Sequence, residues 1–216
     1  MNLTDFRPKF LVTTDKKVRQ FLGFILIIFG FIFSPSLKAF ELKTGDILLQ
    51  PLHCWTCSLI EAQERSIYSH MGVYLKINDK DYVLEAFGKV QIISLADFLQ
   101  KTQKDQDVLV KRFKNIKFDR DLLIANAQAY TELEYDSDFI WDNYDVNGNE
   151  KLYCSELVYK LFDEFYEGLP IKRMLYDINR EHWIRYFRGD PPDGKWGNSP
   201  ADFDKSDLLY PVGILK

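Results

Sequence analysis

The chain has 216 residues, 46% hydrophobic and 15% aromatic, enough to fill one core without demanding a second. Its formal charge is −4; taking away residues 1–39 removes six basic and two acidic side chains from 28 and 32, leaving 22 against 30, or −8. Such a domain repels polyanions, and no stretch supplies the basic face that phosphate contacts need, so nucleic acid is excluded as a partner.

The first 39 residues carry Arg7, Lys9, Lys16, Lys17 and Arg19, then the uncharged run Phe21 to Phe33, then Ser34-Pro35-Ser36-Leu37-Lys38-Ala39. The run is short for a bilayer span of about 20 apolar residues but suits a signal h-region, and small Ala39 offers a cleavage site. We expect residues 1–39 to be a signal peptide. The competing reading is an uncleaved N-terminal membrane anchor through residues 21–33, since Leu37 stands where a smaller residue is usual. On either reading residues 40–216 form an exported domain, periplasmic or tethered to the inner membrane and facing the periplasm. No cysteine lies near the end of the apolar run, which argues against a lipid-modified N-terminus.

Leu42 to Gln50 reads as a turn and a short buried strand, followed by His53-Cys54-Trp55-Thr56-Cys57 and a helix-like stretch Ser58 to Arg65. The Cys54/Cys57 spacing permits a thioredoxin-type redox pair, the start of a zinc site with His53, or a short-range disulfide. No second C-x-x-C or H-x-x-x-H completes a zinc site, and the next stretch reads as an antiparallel hairpin rather than a parallel pair, so the disulfide is preferred.

Tyr68 to Leu75 alternates Met71, Val73 and Leu75 against His70, Gly72 and Tyr74, the period of a strand with one packed face. A turn at Asn78-Asp79-Lys80 returns the chain through Asp81 to Phe87, bringing Glu85 to roughly the level of His70, where a carboxylate can orient and charge an imidazole. Val90 to Ile93 and Asp107 to Phe113 read as further strands of a small antiparallel sheet, with a capped short helix Ser94 to Leu99 between them. Asp119 to Leu133 reads as a helix leading to Tyr135-Asp136 and the polar loop Asp142 to Glu150. Asn143, Asp145 and Asn147 fit the first positions of a calcium loop, but Cys154 falls where its bidentate glutamate belongs, so no metal is expected. Asn147-Gly148 is a turn.

That turn leads to Cys154, where Leu157, Val158, Leu161, Phe162 and Phe165 begin to recur at helical spacing. A cysteine in the first turn of a helix meets unpaired N–H groups and the positive end of the dipole, which favour the thiolate. The competing reading is a small, inert, buried thiol. The tail is loop-rich around Trp183 to Phe187 and closes with a strand-like Leu208 to Leu215.

In that order, Gly45-Asp46-Ile47-Leu48, Ser69-His70-Met71-Gly72-Val73-Tyr74, Glu85 and Tyr153-Cys154-Ser155-Glu156-Leu157-Val158 resemble the permuted branch of the NlpC-type papain-like cysteine hydrolases, the YiiX-like group. In papain and the unpermuted enzymes the cysteine helix precedes the histidine strand; here, as in relatives of lecithin:retinol acyltransferase, the histidine comes first. The resemblance covers roughly Leu42 to Phe165. It implies an α+β papain-like fold with Cys154 as nucleophile, His70 as base, Glu85 orienting the histidine, and Tyr135 helping to hold the oxyanion. No cofactor is expected; the compartment favours peptidoglycan peptides as substrate, and the resemblance also admits lipid or N-acyl amides or esters. A redox protein using Cys54 and Cys57, or a silent binding module, are the readings from other classes.

Overall fold

A computed structural model describes residues 40–216, so the expected signal or anchor lies outside the described residues. Phe40–Lys216 forms one compact unit. Ten strands and six helices follow in the order β1 (Ile47–Gln50), α1 (Trp55–Glu64), β2 (His70–Ile77), β3 (Lys80–Phe87), β4 (Lys89–Ser94), α2 (Leu95–Gln100), β5 (Val108–Phe113) and α3 (Arg120–Ala129). The remainder are β6 (Asn143–Tyr144), β7 (Glu150–Lys151), α4 (Cys154–Phe162), β8 (Lys172–Arg173), α5 (Arg180–Phe187), β9 (Trp196–Gly197), α6 (Pro200–Lys205) and β10 (Leu209–Leu215).

Six strands form one antiparallel sheet in the order β10-β5-β1-β2-β3-β4. Central β1 is covered on both sides, which is why it reads as an unbroken apolar run. Ile47 and Leu49 enter the main core with Met71, Val73 and Leu75 of β2, Leu157, Val158, Leu161 and Phe162 of α4, and Leu123 and Ala127 of α3. Leu48 faces the other way, into a smaller cluster with Tyr74, Val83, Val110 and Phe98 of α2. Pro211 is tolerated because β10 is an edge strand, and the ladder shifts register between Pro211 and Gly213.

The Gly45-Asp46 turn before β1 has a structural explanation. Gly45 sits at φ +92°, and a Cβ there would lie 2.2 Å from the Phe118 ring. Buried Asp46 accepts a bidentate pair from Arg112 of β5, at 2.6 Å from Nε and 2.7 Å from Nη2, which ties the start of the sheet together.

The expected elements differ at their ends. α1 begins at Trp55 rather than Ser58, because Cys54 caps it: its Sγ accepts from the Cys57 N–H at 3.0 Å. α3 stops at Ala129, and Leu133 instead takes its carbonyl to the Val90 N–H at 2.8 Å, a tertiary bond that overrides helix periodicity. The tail, expected to be mostly loop, contains α5 and α6; Ser199 and Asp202 form a capping box around Pro200, a local signal the reading passed over.

Candidate active site

His70 opens β2, opposite Gln50 of β1. Glu85 of β3 pairs not with His70 but with Gly72, two residues along on the same face, so carboxylate and imidazole meet diagonally. His70 Nε2 and Glu85 Oε2 are 2.8 Å apart; the histidine is 3% exposed and the glutamate fully buried. Gly72 lets β3 and the Phe98 ring pack closely on β2 at this point, since a Cβ there would lie 2.5 Å from Val83 Cγ1, 2.8 Å from the Leu84 carbonyl and 3.2 Å from the Phe98 ring. Phe87 and Phe98 flank the imidazole at centroid distances of 5.7 and 5.8 Å.

Cys154 is the first residue of α4 and is 7% exposed. The first intrahelical bond runs from the Leu157 N–H to the Tyr153 carbonyl at 2.9 Å, leaving the earlier N–H groups of the helix outside its own ladder. The Cys154 side chain lies close enough to the His70 ring to raise its imidazolium. Nε2 is engaged by Glu85, so Nδ1 is the ring nitrogen outside that pair.

Burial is the largest influence on His70 and disfavours its charge. The nearby Cys154 side chain and the hydrogen bond and charge of Glu85 outweigh it and raise the imidazolium to about 9. Burial likewise pushes Glu85 up, but the His70 bond and charge, followed by those of Lys101, hold it at about 2.

The second oxygen of Glu85 has two partners that the sequence did not single out. Gln91 Nε2 donates to Oε1 at 2.9 Å, and Lys101 Nζ donates to the same atom. Gln91 was findable, since it stands directly across from Glu85 once the β3–β4 register is known. Lys101 lies at the C-terminal cap of α2, with nothing local to mark it. Fully buried Gln50 ties that helix end to β1, donating to the Phe98 carbonyl at 2.7 Å and to Thr102 at 2.8 Å.

Tyr135 and Cys154 line one cleft, with about 480 Å³ of empty space including its open mouth. A parallel bridge between Tyr135 and Leu152 sets the tyrosine beside the approach to α4. Burial first, then the Cys154 charge, keep the Tyr135 phenol protonated well above its ordinary range, so it is available as a donor. Cys54 and Cys57 form a disulfide and are not among the cleft-lining residues, although α1 lends Ile60, Gln63 and Glu64 to the wall.

In the polar loop, Asp145 Oδ1 closes the turn by accepting from the Asn147 and Asn149 N–H groups, both at 2.8 Å. Carboxylates of Asp142, Glu150 and Glu156 converge within 4.8 Å. The Lys160 ammonium lies among them, 2.6 Å from Asp142 and 3.5 Å from Glu156, and also pairs with Glu150.

Comparison with known proteins agrees with this fold. Residues 41–207 match the model of a family described as permuted papain-like amidase enzyme, YaeF/YiiX, C92 family. The chain is similar to the uncharacterized protein YiiX of Escherichia coli K12, at 28% identity over 138 residues, or 63% of this chain. It spans 65% of that relative's length. A crystal structure titled metalloprotein YiiX from Escherichia coli O157:H7, DUF1105, has the same fold, with a TM-score of 0.71 and 23% identity over 80% of this chain and 97% of that one. The histidine-first order, the sheet and the cysteine helix place the chain in the family of permuted papain-like amidases, to which it belongs.

Proposed function

We propose that the protein is an exported cysteine amidase acting on cell-wall peptides, with Cys154 as nucleophile, His70 as acid and base, and Glu85 orienting the imidazole. The observation that carries the reading is the buried His70, bonded to Glu85 through Nε2, with the Cys154 side chain close enough to raise its imidazolium.

In this mechanism the thiolate of Cys154 attacks the amide carbon and forms a C–S bond, while the carbonyl electrons move to oxygen. N–H groups at the start of α4, with the Tyr135 hydroxyl, stabilise that oxyanion. The His70 imidazolium gives its proton to the departing amine as the C–N bond breaks, leaving an acyl-thiol. Neutral His70 then takes a proton from water, whose oxygen displaces the sulfur, and the acid product and thiolate–imidazolium pair are released.

The apolar lining of the cleft favours a second reading on the same residues, a lipid or N-acyl amide or ester hydrolase or acyltransferase. The Escherichia coli structure is titled a metalloprotein. Here the carboxylates of Asp142, Glu150 and Glu156 surround the Lys160 ammonium, which a metal would have to displace, so the set does not fit a metal and no step is routed through one.

The test is to incubate the purified protein with peptidoglycan fragments and, separately, with lipid amides and esters, following products by mass. Peptide cleavage that vanishes in Cys154→Ala and His70→Ala with the fold retained is the expected result. Turnover that survives Cys154→Ala overturns the assignment.

A further inference from the structure

Five side-chain polar atoms among the described residues are buried without a hydrogen-bond partner, and three of them belong to residues lining the cleft beside Cys154. They are Tyr176 Oη, Trp183 Nε1 and Asn198 Oδ1, on side chains no more than 3% exposed. Their coincidence in one wall is the signal, since buried polar groups are nearly always paired and each orphan costs free energy.

The chemistry of the three is specific. Trp183 Nε1 can only donate, Asn198 Oδ1 can only accept, and the Tyr176 hydroxyl can do either. The Asn198 amide is oriented by its Nδ2, which donates to the Pro170 carbonyl at 3.1 Å, so the oxygen is the free end. The one charged lining residue, Glu64, is neutralised by Lys172 at 2.5 Å. Phe139, Tyr153 and Met174 are among the apolar side chains that line the rest of it.

We infer that this cleft is a recognition subsite for an uncharged peptide unit adjoining the scissile bond, not for a hydrocarbon chain. One amide supplies a carbonyl for Trp183 and an N–H for Asn198, while a hydrocarbon leaves all three atoms orphaned. The atoms are sealed in the free protein, so the peptide unit enters as flexible Met174 and its aromatic neighbours shift aside. The inference rests on the proposed role of Cys154 only for what lies next to the subsite; recognition of the amide rests on the three atoms themselves.

The test uses two isosteric probes, N-acetylethanolamine with one amide and 4-methylpentan-1-ol with none, titrated into the full chain carrying Cys154→Ala. Indole N–H resonances are followed by NMR, and that of Trp183 is identified by its loss in Trp183→Phe. The expected result is a saturable shift of this resonance by the amide probe, binding about 10-fold tighter than the hydrocarbon probe. Tyr176→Phe should weaken the first probe about 5-fold and leave the second unchanged. Equal or tighter binding of the hydrocarbon probe, or an unmoved Trp183 resonance, overturns the subsite. A separate arm follows p-nitrophenol release by the unsubstituted chain from the p-nitrophenyl esters of N-acetylglycine and 4-methylpentanoic acid. Release from neither ester above that given by Cys154→Ala overturns the nucleophile, while the NMR result decides the subsite independently.

Discussion

At the scale of single residues, the His70–Glu85 pair sets a pH dependence whose sign follows from the direction of each shift. His70 is raised from 6.5 to about 9, so its contribution to stability is fully present below 6.5 and lost as pH rises through about 9. Glu85 is lowered from 4.5 to about 2, so its contribution is present above 4.5 and lost as pH falls through about 2. Turnover needs the imidazolium to protonate the leaving amine, and its basic limb should therefore fall near pH 9. Glu85→Gln keeps a hydrogen-bond partner but removes the charge, and should move that limb down by about one unit with a smaller loss of kcat than His70→Ala causes. A limb that stays put in Glu85→Gln would detach the carboxylate from the histidine's titration. Lys101 is a positioning residue: it touches Glu85, not the reacting atoms. Removing its positive charge leaves Glu85 to act on His70 alone. Lys101→Met should therefore shift the basic limb up by about half a unit, opposite to Glu85→Gln, while lowering kcat a few-fold. Lys101→Arg should restore both, as a purely space-filling role would not predict.

At the scale of elements, α1 joins the disulfide to the cleft without bringing the sulfurs into it. Cys54 caps the helix and Cys57 lies in its first turn, while Ile60, Gln63 and Glu64 on later turns face the cleft. So short a bridge constrains the unfolded chain by about 2 kcal/mol. The variant Cys54→Ser with Cys57→Ser should lose no more than that in thermal melts and should keep both turnover and the alkylation rate of Cys154. A loss as complete as that of Cys154→Ala would make the pair part of the chemistry. α4 shows why one helix was easier to find than others. Four of its apolar positions, Leu157, Val158, Leu161 and Phe162, are no more than 2% exposed, so its whole pattern is written by one core. α5 buries chiefly Trp183 and leaves Ile184 and Arg185 outside, so its residues read as an aromatic stretch without a clear face.

At the scale of the molecule, the compact unit starts at Phe40, which packs over Gly213 on β10. That is the residue after Ala39, the expected cleavage position. N-terminal sequencing of exported protein should begin near Phe40; recovery of intact Met1 from the membrane fraction would favour the anchor instead.

The sequence by itself determined the order of the histidine strand and the cysteine helix and which elements carry His70, Glu85 and Cys154; the papain-like fold and the proposed roles of these residues came from the resemblance to the permuted family. The order and the elements are local matters: a period of two, a period of 3.6, and a polar residue at the end of each pattern. It also placed Glu85 near His70, because a hairpin turn limits register to a residue or two. The tertiary structure decided the rest. It set the diagonal over Gly72, put Lys101 from a different element on the far oxygen of Glu85, and gathered Tyr135, Tyr176, Trp183 and Asn198 around Cys154. Those contacts join residues far apart in the chain, and only packing both faces of one sheet brings them together.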